Sequence, residues 1–419
     1  MKRTARDKRE RPHPPPVKRI ELNEEHIGRR LITAGVLLVL GLGLLAYAVL
    51  QLLTPETGWT EIEAGASVGT SCGEDFTFFY YAPTSAERRA VSTQYTQLCR
   101  SAYQMFHSGE EFEETGNVRT INLHPNQTVK VEPGLYRALE VMERSGSRLL
   151  YLGPVYDQYD DLFFCVDDSQ IVDFDPRLNE DIAREYREIA AFARDPKAVR
   201  IELLGDNQVR LYVSTEYLAY AGREEIDDFI GFSWTANAFI ADYLAQELTA
   251  LGYTRGTLTS YDGFIRNLDG SGTEYSVQLY DRQGQTVYPA AVMSLRGPAG
   301  MVCLRDYPIN DRDLNRFYEM EDGEIRTPYL DPEDGLCKSS VPNLVCYAGD
   351  KGCGEILIRM APVYIANSFE KEALKQLAAE GVQSIRCENG VIYPTEAGAV
   401  LTQLYEKDGV RYTVAPAES

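Results

Sequence analysis

Histidine is scarce in this chain, which has four in 419 residues: His13, His26, His107 and His124. The first two lie in a basic N-terminal stretch, and the other two stand beside no Ser or Cys nucleophile motif. The sequence therefore carries no local signature of a Ser-His-Asp hydrolase.

Glycine-rich phosphate-binding motifs are also missing. The chain contains neither G-x-G-x-x-G nor G-x-x-x-x-G-K-[ST], the patterns whose backbone N–H groups cradle phosphates. The stretch "DGSGTEY", residues 269–275, is rich in glycine but is typical of a turn. Motifs alone thus give no positive sign of a nucleotide site.

Basic residues are fewer than acidic ones, with 42 Lys and Arg against 63 Asp and Glu, which gives a net charge of −21. This balance argues against a nucleic-acid partner, whose phosphates need Lys and Arg. The acidic runs "DQYDDLF" and "NDRDLN" could bind a cation through their oxygens. They lack the alternating spacing of a calcium loop, so a solvated acidic face is the simpler interpretation.

Charge is missing altogether from residues 31–53, an apolar run of the length that crosses a bilayer. Residues 1–30 carry ten Lys or Arg against five Asp or Glu, which places this tail on the cytoplasmic side. A cleaved signal peptide would end in small residues, and the end "AVLQLL" is a poor cleavage site. A buried core helix would not be apolar all round. We therefore predict a single-pass cell-membrane protein that contacts the lipid bilayer, with residues 54–419 extracytoplasmic.

Cysteine usage is compatible with export, because all eight cysteines lie in residues 54–419. An even number outside the cell permits disulfides, and buried free thiols are the alternative. Cys337, Cys346 and Cys353 are separated by eight and six residues, spacings that do not match zinc patterns.

The exported part shows mixed helical and strand periodicity, without an internal repeat or a clear linker. Helices are predicted at residues 85–109, 131–146, 179–195, 235–252 and 370–381. Strands are predicted at residues 199–204, 208–213, 273–282, 290–295 and 354–360. This mixed order indicates a single α+β ectodomain.

The clearest helix is predicted to begin at a capping Thr235 and to end at Gly252. Its inward face is predicted to hold Phe239, Tyr243, Leu244, Leu248 and Leu251. The last helix is predicted to be capped by Asn367, with Glu370 three residues later.

The order of these elements resembles the ApbE-type flavin transferases, the FAD:protein FMN transferase family. The stretch "NAFIADYLAQELTALGYTRGTLTSYDGFIRNL" lies where that family has a Lys-Gly-Tyr-Ala-x-Asp helix and then a strand ending in Gly-Gly. The stretch "NRFYEMEDGEIRTPYLDPEDG" resembles the family's segment ending in His-Ile-Ile-Asp-Pro-x-Thr-Gly. The resemblance covers about residues 60–400 and implies a layered fold of sheets and helices.

Three residues agree with the family at positions that the resemblance links to the cofactor: Asp242, Gly263 and Asp331. Other positions depart from the family pattern. They are Asn237 for its Lys, Ala238 for its Gly, Asp262 for the first Gly of its pair, Arg305-Asp306 near its Ser-Gly, Pro328 for its His, and Pro362 and Ala366 near its magnesium-binding Asp and Thr.

These departures leave three functions open. The chain is expected to be a catalytically degenerate scaffold or interaction module, beside exported flavoproteins or other membrane proteins and without a cofactor. The alternatives are an active transferase that uses FAD and Mg²⁺, and a non-catalytic nucleotide or flavin binder. In the first case the loop 328–335 is a retained turn, in which the Asp331 side chain accepts backbone N–H groups.

Overall fold

The computed structural model describes residues 37, 58–65, 71–313, 315–396, 399–407 and 409–417. The chain divides into two units, Met1–Pro55 and Glu56–Ser419, and all elements named below belong to the second. No helix in the described ranges has both the length and the apolar character that a bilayer crossing requires. The predicted span at 31–53 lies outside the described residues apart from Leu37, and it stays a prediction.

The helices of the described residues are short to medium in length. They are α1 Ser71–Asp75, α2 Ser85–Phe106, α3 Val118–Leu123, α4 Pro133–Ser145, α5 Gly153–Tyr159, α6 Asp168–Ile171, α7 Glu180–Arg194, α8 Thr215–Arg223, α9 Ala236–Ala250, α10 Cys353–Tyr364 and α11 Lys371–Ala379. Short 3-10 helices lie at Leu149–Leu152, Asp160–Phe164, Ser233–Thr235 and Asp311–Asp313.

The strands follow the same chain order. They are β1 Gly58–Ile62, β2 Phe76–Ala82, β3 Thr128–Lys130, β4 Val199–Gly205, β5 Gln208–Val213, β6 Gly256–Ser260, β7 Phe264–Asn267, β8 Glu274–Gln283, β9 Thr286–Arg296, β10 Ala299–Arg305, β11 Tyr318–Glu319, β12 Ile325–Arg326, β13 Asn343–Ala348, β14 Gln383–Glu388, β15 Val391–Pro394, β16 Val400–Thr402, β17 Glu406–Lys407, β18 Val410–Arg411 and β19 Thr413–Val414.

Among the described strands, nine form one sheet in the order β1-β2-β6-β7-β10-β13-β14-β15-β19. Its pairs are antiparallel except β15 with β19. Two three-stranded sheets, β16-β9-β8 and β3-β5-β4, accompany it. The predicted hairpin at 199–213 is confirmed as β4 and β5, and Asp206 and Asn207 take positive φ at its turn. Asn and Asp tolerate this conformation better than other side chains do.

The large sheet separates two hydrophobic cores, because its side chains alternate between its faces. On β10, Val302 and Leu304 belong to the core shared with the helices. Met301, one residue before Val302, belongs to the second core, which contains Leu279 of β8 and Met293 of β9. The sheet is therefore covered by helices on one face and by a small β-sheet on the other.

Helix α9 packs on the large sheet, and its predicted inward residues Phe239, Leu244 and Leu248 are confirmed as buried. Leu251 was predicted to face inward and is 50 % exposed. It follows the last helical residue, Ala250, where the chain has left the helical period. Thr235 occupies the N-cap position as predicted, but its side chain makes no capping hydrogen bond, because its hydroxyl donates to Phe232 O at 2.5 Å.

Residues 354–360 were predicted as a strand but lie within helix α10. A short apolar run fits a buried strand and a buried helix equally well by periodicity. The helix is buried on several sides, with Ile356, Leu357 and Met360 at 0 % exposure. Its first N–H groups, those of Cys353 and Gly354, donate to Asp242, a residue far away along the chain.

The last helix begins at Lys371, later than the predicted capping box at Asn367 and Glu370 requires. Glu370 is the residue before its first turn, and it makes no side-chain cap hydrogen bond. The eight cysteines, all in described ranges, carry free thiols. Six of them are buried, and Cys165 and Cys303 are half-buried.

Candidate functional site

The turn between β6 and β7 presents two polar side chains at the end of the large sheet. β6 ends at Ser260, whose Oγ accepts the N–H of Phe264 at 2.8 Å. Gly263 takes a φ of +100° and packs so closely that an added Cβ would lie 2.4 Å from Cys303 O. This tight reversal fixes Tyr261 and Asp262 between the two strands.

Asp262 is the centre of a buried polar cluster and is only 4 % exposed. Asn237, in the first turn of α9, donates from Nδ2 to Asp262 Oδ2 at 2.9 Å and to Asp75 Oδ2 at 3.4 Å. Arg316 Nη1 lies 3.4 Å from the same Asp262 oxygen. The second oxygen of Asp262, Oδ1, has no hydrogen-bond partner among the described residues. Two carboxylates and one guanidinium thus meet around a single amide.

This cluster forms part of the wall of a cavity of about 460 Å³. Asp75, Asn237, Asp262, Arg316 and Pro328 all line it. The remaining lining residues include aromatic side chains and a third carboxylate: Tyr103, Phe106, His107, Asp160, Phe163, Phe164, Trp234 and Tyr261. The cavity therefore combines aromatic walls with a concentration of negative charge.

The carboxylates of this cavity are shifted towards their neutral form. Burial raises the pKa of Asp75 to about 6, and Asn237 and Arg316 oppose the shift. Burial, with the nearby Asp161 carboxylate, raises the pKa of Asp160 to about 7. Desolvation disfavours the charged state of a carboxylate, so both groups gain from a positive neighbour.

The loop Pro328–Gly335 reaches this cavity only through Pro328. The Asp331 side chain accepts the Glu333 N–H at 2.9 Å, which confirms its predicted local role in the turn. Its other oxygen accepts from Lys338 Nζ at 2.6 Å, and the same ammonium donates to Asp334 at 2.7 Å. Sequence reasoning missed Lys338, because a lone Lys three residues beyond the turn carries no motif signal.

Hydroxyl groups from α5 hold the start of this loop in place. Tyr156 donates to Pro328 O at 2.9 Å, and Tyr159 donates to Thr327 O at 3.0 Å. Trp234 Nε1 in turn donates to the Tyr156 hydroxyl at 2.8 Å. Pro328 and Trp234 are thus fixed to each other, and this part of the cavity wall is preorganised.

Asp242 caps the N-terminus of helix α10. Its Oδ1 accepts the Cys353 N–H at 2.8 Å, and its Oδ2 accepts the Gly354 N–H at 2.9 Å. The first N–H groups of a helix have no partner inside it, and its N-terminus favours negative charge. Arg266 lies 3.4 Å from the same carboxylate. This cap from α9 determines where α10 begins.

Comparisons with known proteins identify the fold. No family model matches the chain, and no curated protein does. Among solved structures, the ApbE protein of Thermotoga maritima aligns at a TM-score of 0.53 and 14 % identity, covering 83 % of this chain and 97 % of that one. The flavin transferase ApbE of Vibrio cholerae aligns at 0.50 and 14 %, covering 78 % and 93 %.

The chain has an ApbE-like fold. The layered α+β architecture that the sequence resemblance implied is confirmed by these alignments, which span most of each chain. At 14 % identity they concern the fold alone.

The ApbE-like fold brings together three of the positions where the sequence departs from the family. Asn237, Asp262 and Pro328, which the sequence resemblance sets at its Lys, its first Gly and its His, line the same cavity. The three residues that the resemblance links to the cofactor, Asp242, Gly263 and Asp331, are not among the residues lining it. Their described contacts are to α10, to Cys303 and to the loop.

The remaining departures lie elsewhere. Arg305 is buried and pairs with Asp313 at 2.6 Å. Pro362 lies inside α10 and Ala366 follows its end, and both line a separate cavity beside α11. Asp75, Asp160 and Arg316 were missed by sequence reasoning as site residues. They are separated by dozens of residues along the chain, so no local pattern could group them.

The residues present do not fit FAD with Mg²⁺, which the ApbE-like fold implies. The side chains of Pro362 and Ala366 offer no oxygen to a metal, and the described residues contain no group of three or more His, Cys, Asp or Glu placed to hold one. Asp262 sets a carboxylate where the family has glycine, and like charge repels a pyrophosphate. We therefore derive no reaction step through either group.

Proposed function

We propose that this chain is a membrane-anchored, extracytoplasmic ApbE-like protein that no longer transfers flavin and acts as a scaffold or interaction module. The observation that carries the proposal is Asp262, held in the cavity by Asn237 and Arg316 and close to Asp75. This arrangement neutralises the only Arg of the described lining and leaves the cavity acidic.

The chemistry of flavin transfer explains why these residues matter. Transfer from FAD breaks a pyrophosphate, whose negative charge needs a cation or N–H donors. Asn237 carries no charge where the family has Lys, and Pro328 can neither donate nor accept a proton where it has His. The Asp331 carboxylate, which could have approached a metal, is committed to Lys338 and to its own turn. A scaffold role does not require any of the missing groups, and exported flavoproteins are its natural partners by analogy of fold.

The first prediction is that the chain transfers no flavin. The full-length protein in detergent is incubated with FAD, Mg²⁺ and an acceptor protein with an exposed Ser or Thr site, next to the Vibrio cholerae transferase as positive control. We expect no in-gel flavin fluorescence and no FMN-sized mass increase on the acceptor beyond the protein-free blank. Flavin attachment that depends on this chain would overturn the proposal and favour the active transferase.

The second prediction concerns the anchor, which rests on the uncharged run at 31–53 and its basic flank. Protease added to spheroplasts is expected to degrade residues 54–419, while a cytoplasmic marker stays intact. Protection of this region until detergent is added would show that the orientation is wrong. Recovery of the whole protein in the soluble fraction would instead exclude the anchor.

A further inference from the structure

The cavity around Asp262 has the chemistry of a cation site. Its walls include the rings of Tyr103, Phe106, Phe163, Trp234 and Tyr261. The face of an aromatic ring carries partial negative charge and attracts ammonium and guanidinium groups. Arg316 already uses this attraction, since its Cζ lies 5.5 Å from the centre of the Tyr261 ring.

The charged groups of the cavity also favour a cation. Three carboxylates line it, those of Asp75, Asp160 and Asp262, against the single guanidinium of Arg316. The Nδ1 atom of His107 faces its own loop, where it accepts the N–H groups of Gly109 at 3.1 Å and Glu110 at 3.0 Å. The lining therefore retains an excess of negative charge.

One carboxylate oxygen in this wall is left without a partner. Asp262 is 4 % exposed, and its Oδ1 makes no hydrogen bond among the described residues. A buried charged oxygen without a donor is costly, and such a group in a native structure calls for a missing partner. A positively charged N–H donor would satisfy this oxygen and offset the charge of Asp75 and Asp160.

We propose that this cavity binds an organic ammonium ion, an amine carried on an apolar or aromatic body. The body would lie against the aromatic walls, and the ammonium group would face Asp262. The volume of about 460 Å³ falls in the range of small-molecule sites. The inference rests on the proposed function only in that both concern this cavity, since amine binding does not itself require that flavin transfer be lost.

The binding test compares three probes of matched shape on the full-length protein in detergent: phenethylamine, 2-phenylethanol and phenylacetate. Isothermal titration at pH 8 is expected to show saturable binding of phenethylamine. The neutral alcohol should bind at least tenfold more weakly, and the anion should not bind. Equal affinity for amine and alcohol, or no binding of the amine, would overturn the proposal.

Two variants locate the site and guard against misfolding. Asp262→Asn is expected to weaken phenethylamine binding at least tenfold. Asp160→Asn, on the cavity wall, should weaken it about threefold. Glu140→Gln is the control, because Glu140 lines a different cavity beside α4 and α9. An unchanged dissociation constant in both aspartate variants would place any binding elsewhere and refute the assignment.

The two proposals fail separately. Flavin transfer by the wild-type chain, together with charge-selective amine binding, would remove the proposed function and leave the cation site. Absence of flavin transfer, together with equal affinity for the amine and the alcohol, would support the proposed function and refute the cation site.

Discussion

Asp175→Ala is expected to lower the free energy of unfolding by about 3–5 kcal/mol, because it removes the buried partner of the buried Arg326 guanidinium. Arg326 Nε donates to Asp175 Oδ2 at 2.6 Å, and the two side chains are 2 % and 0 % exposed. The only other ion pair that Arg326 makes in the described part of the chain is with Glu324, whose side chain is 52 % exposed. Asp175 also accepts the Arg177 N–H at 2.9 Å.

The effect should extend to the cavity, because Arg326 ends β12 two residues before Pro328. Urea unfolding of the full-length protein in detergent measures the loss. Glu274→Ala is the matched control, since it breaks the exposed pair with Arg296, whose side chain is 72 % exposed. That change should leave the free energy of unfolding nearly unchanged, because ion pairs exposed to solvent contribute little to stability. Similar losses in the two variants would mean that the Asp175–Arg326 pair is open to solvent.

Gly263→Ala is the second change with a large expected effect, about 2–6 kcal/mol from backbone strain and steric overlap together. A non-glycine residue at a φ of +100° is strained, and the new methyl group would lie 2.4 Å from Cys303 O. The oxygen belongs to the backbone of β10, which cannot move without breaking the sheet. Cys303 N also donates to Gly263 O at 2.9 Å, so the two segments are already joined.

Gly297→Ala separates the cost of backbone strain from the cost of steric overlap. Gly297 has a φ of +82° and nothing within 4 Å of the added Cβ, so it carries the strain without the overlap. We expect it to cost about 1–3 kcal/mol, and the difference between the variants measures the contact with Cys303. Equal losses would show that β10 yields to the methyl group. A second readout is the affinity for phenethylamine, which Gly263→Ala should reduce by displacing Asp262.

The residues matched to the ApbE family illustrate how much a single sequence can predict. Asp331 was correctly assigned to its turn, because an Asp followed by Pro and later by Gly has strong local preferences. Its ion pair with Lys338 was not foreseen. Gly263 was linked to cofactor contact by the family resemblance, and that link stays a prediction. The structure adds a close approach of Cys303 O to Gly263, which the sequence did not indicate.

Helix α10 shows that secondary structure, too, could not always be predicted from the sequence. Its apolar run has no polar stripe to reveal a period, so a strand and a helix were equally compatible with it. The helix is stabilised by a contact that the sequence does not reveal, because Asp242, over a hundred residues earlier, accepts its first N–H groups. Amphipathic helices such as α2 and α7 were predicted correctly, because one face is solvated and the period is visible.

The sequence by itself determined the charge balance, the amphipathic helices, the hairpin at 199–213 and the order of elements that resembles the ApbE family. Each of these depends on near neighbours along the chain or on composition. Only the tertiary structure decided that Asp75, Asp262 and Arg316 meet around Asn237, and that Asp242 serves a helix rather than this cavity. These contacts join α1, α9, the β6–β7 turn and the segment before β11, and packing of the two cores on the large sheet sets their distances.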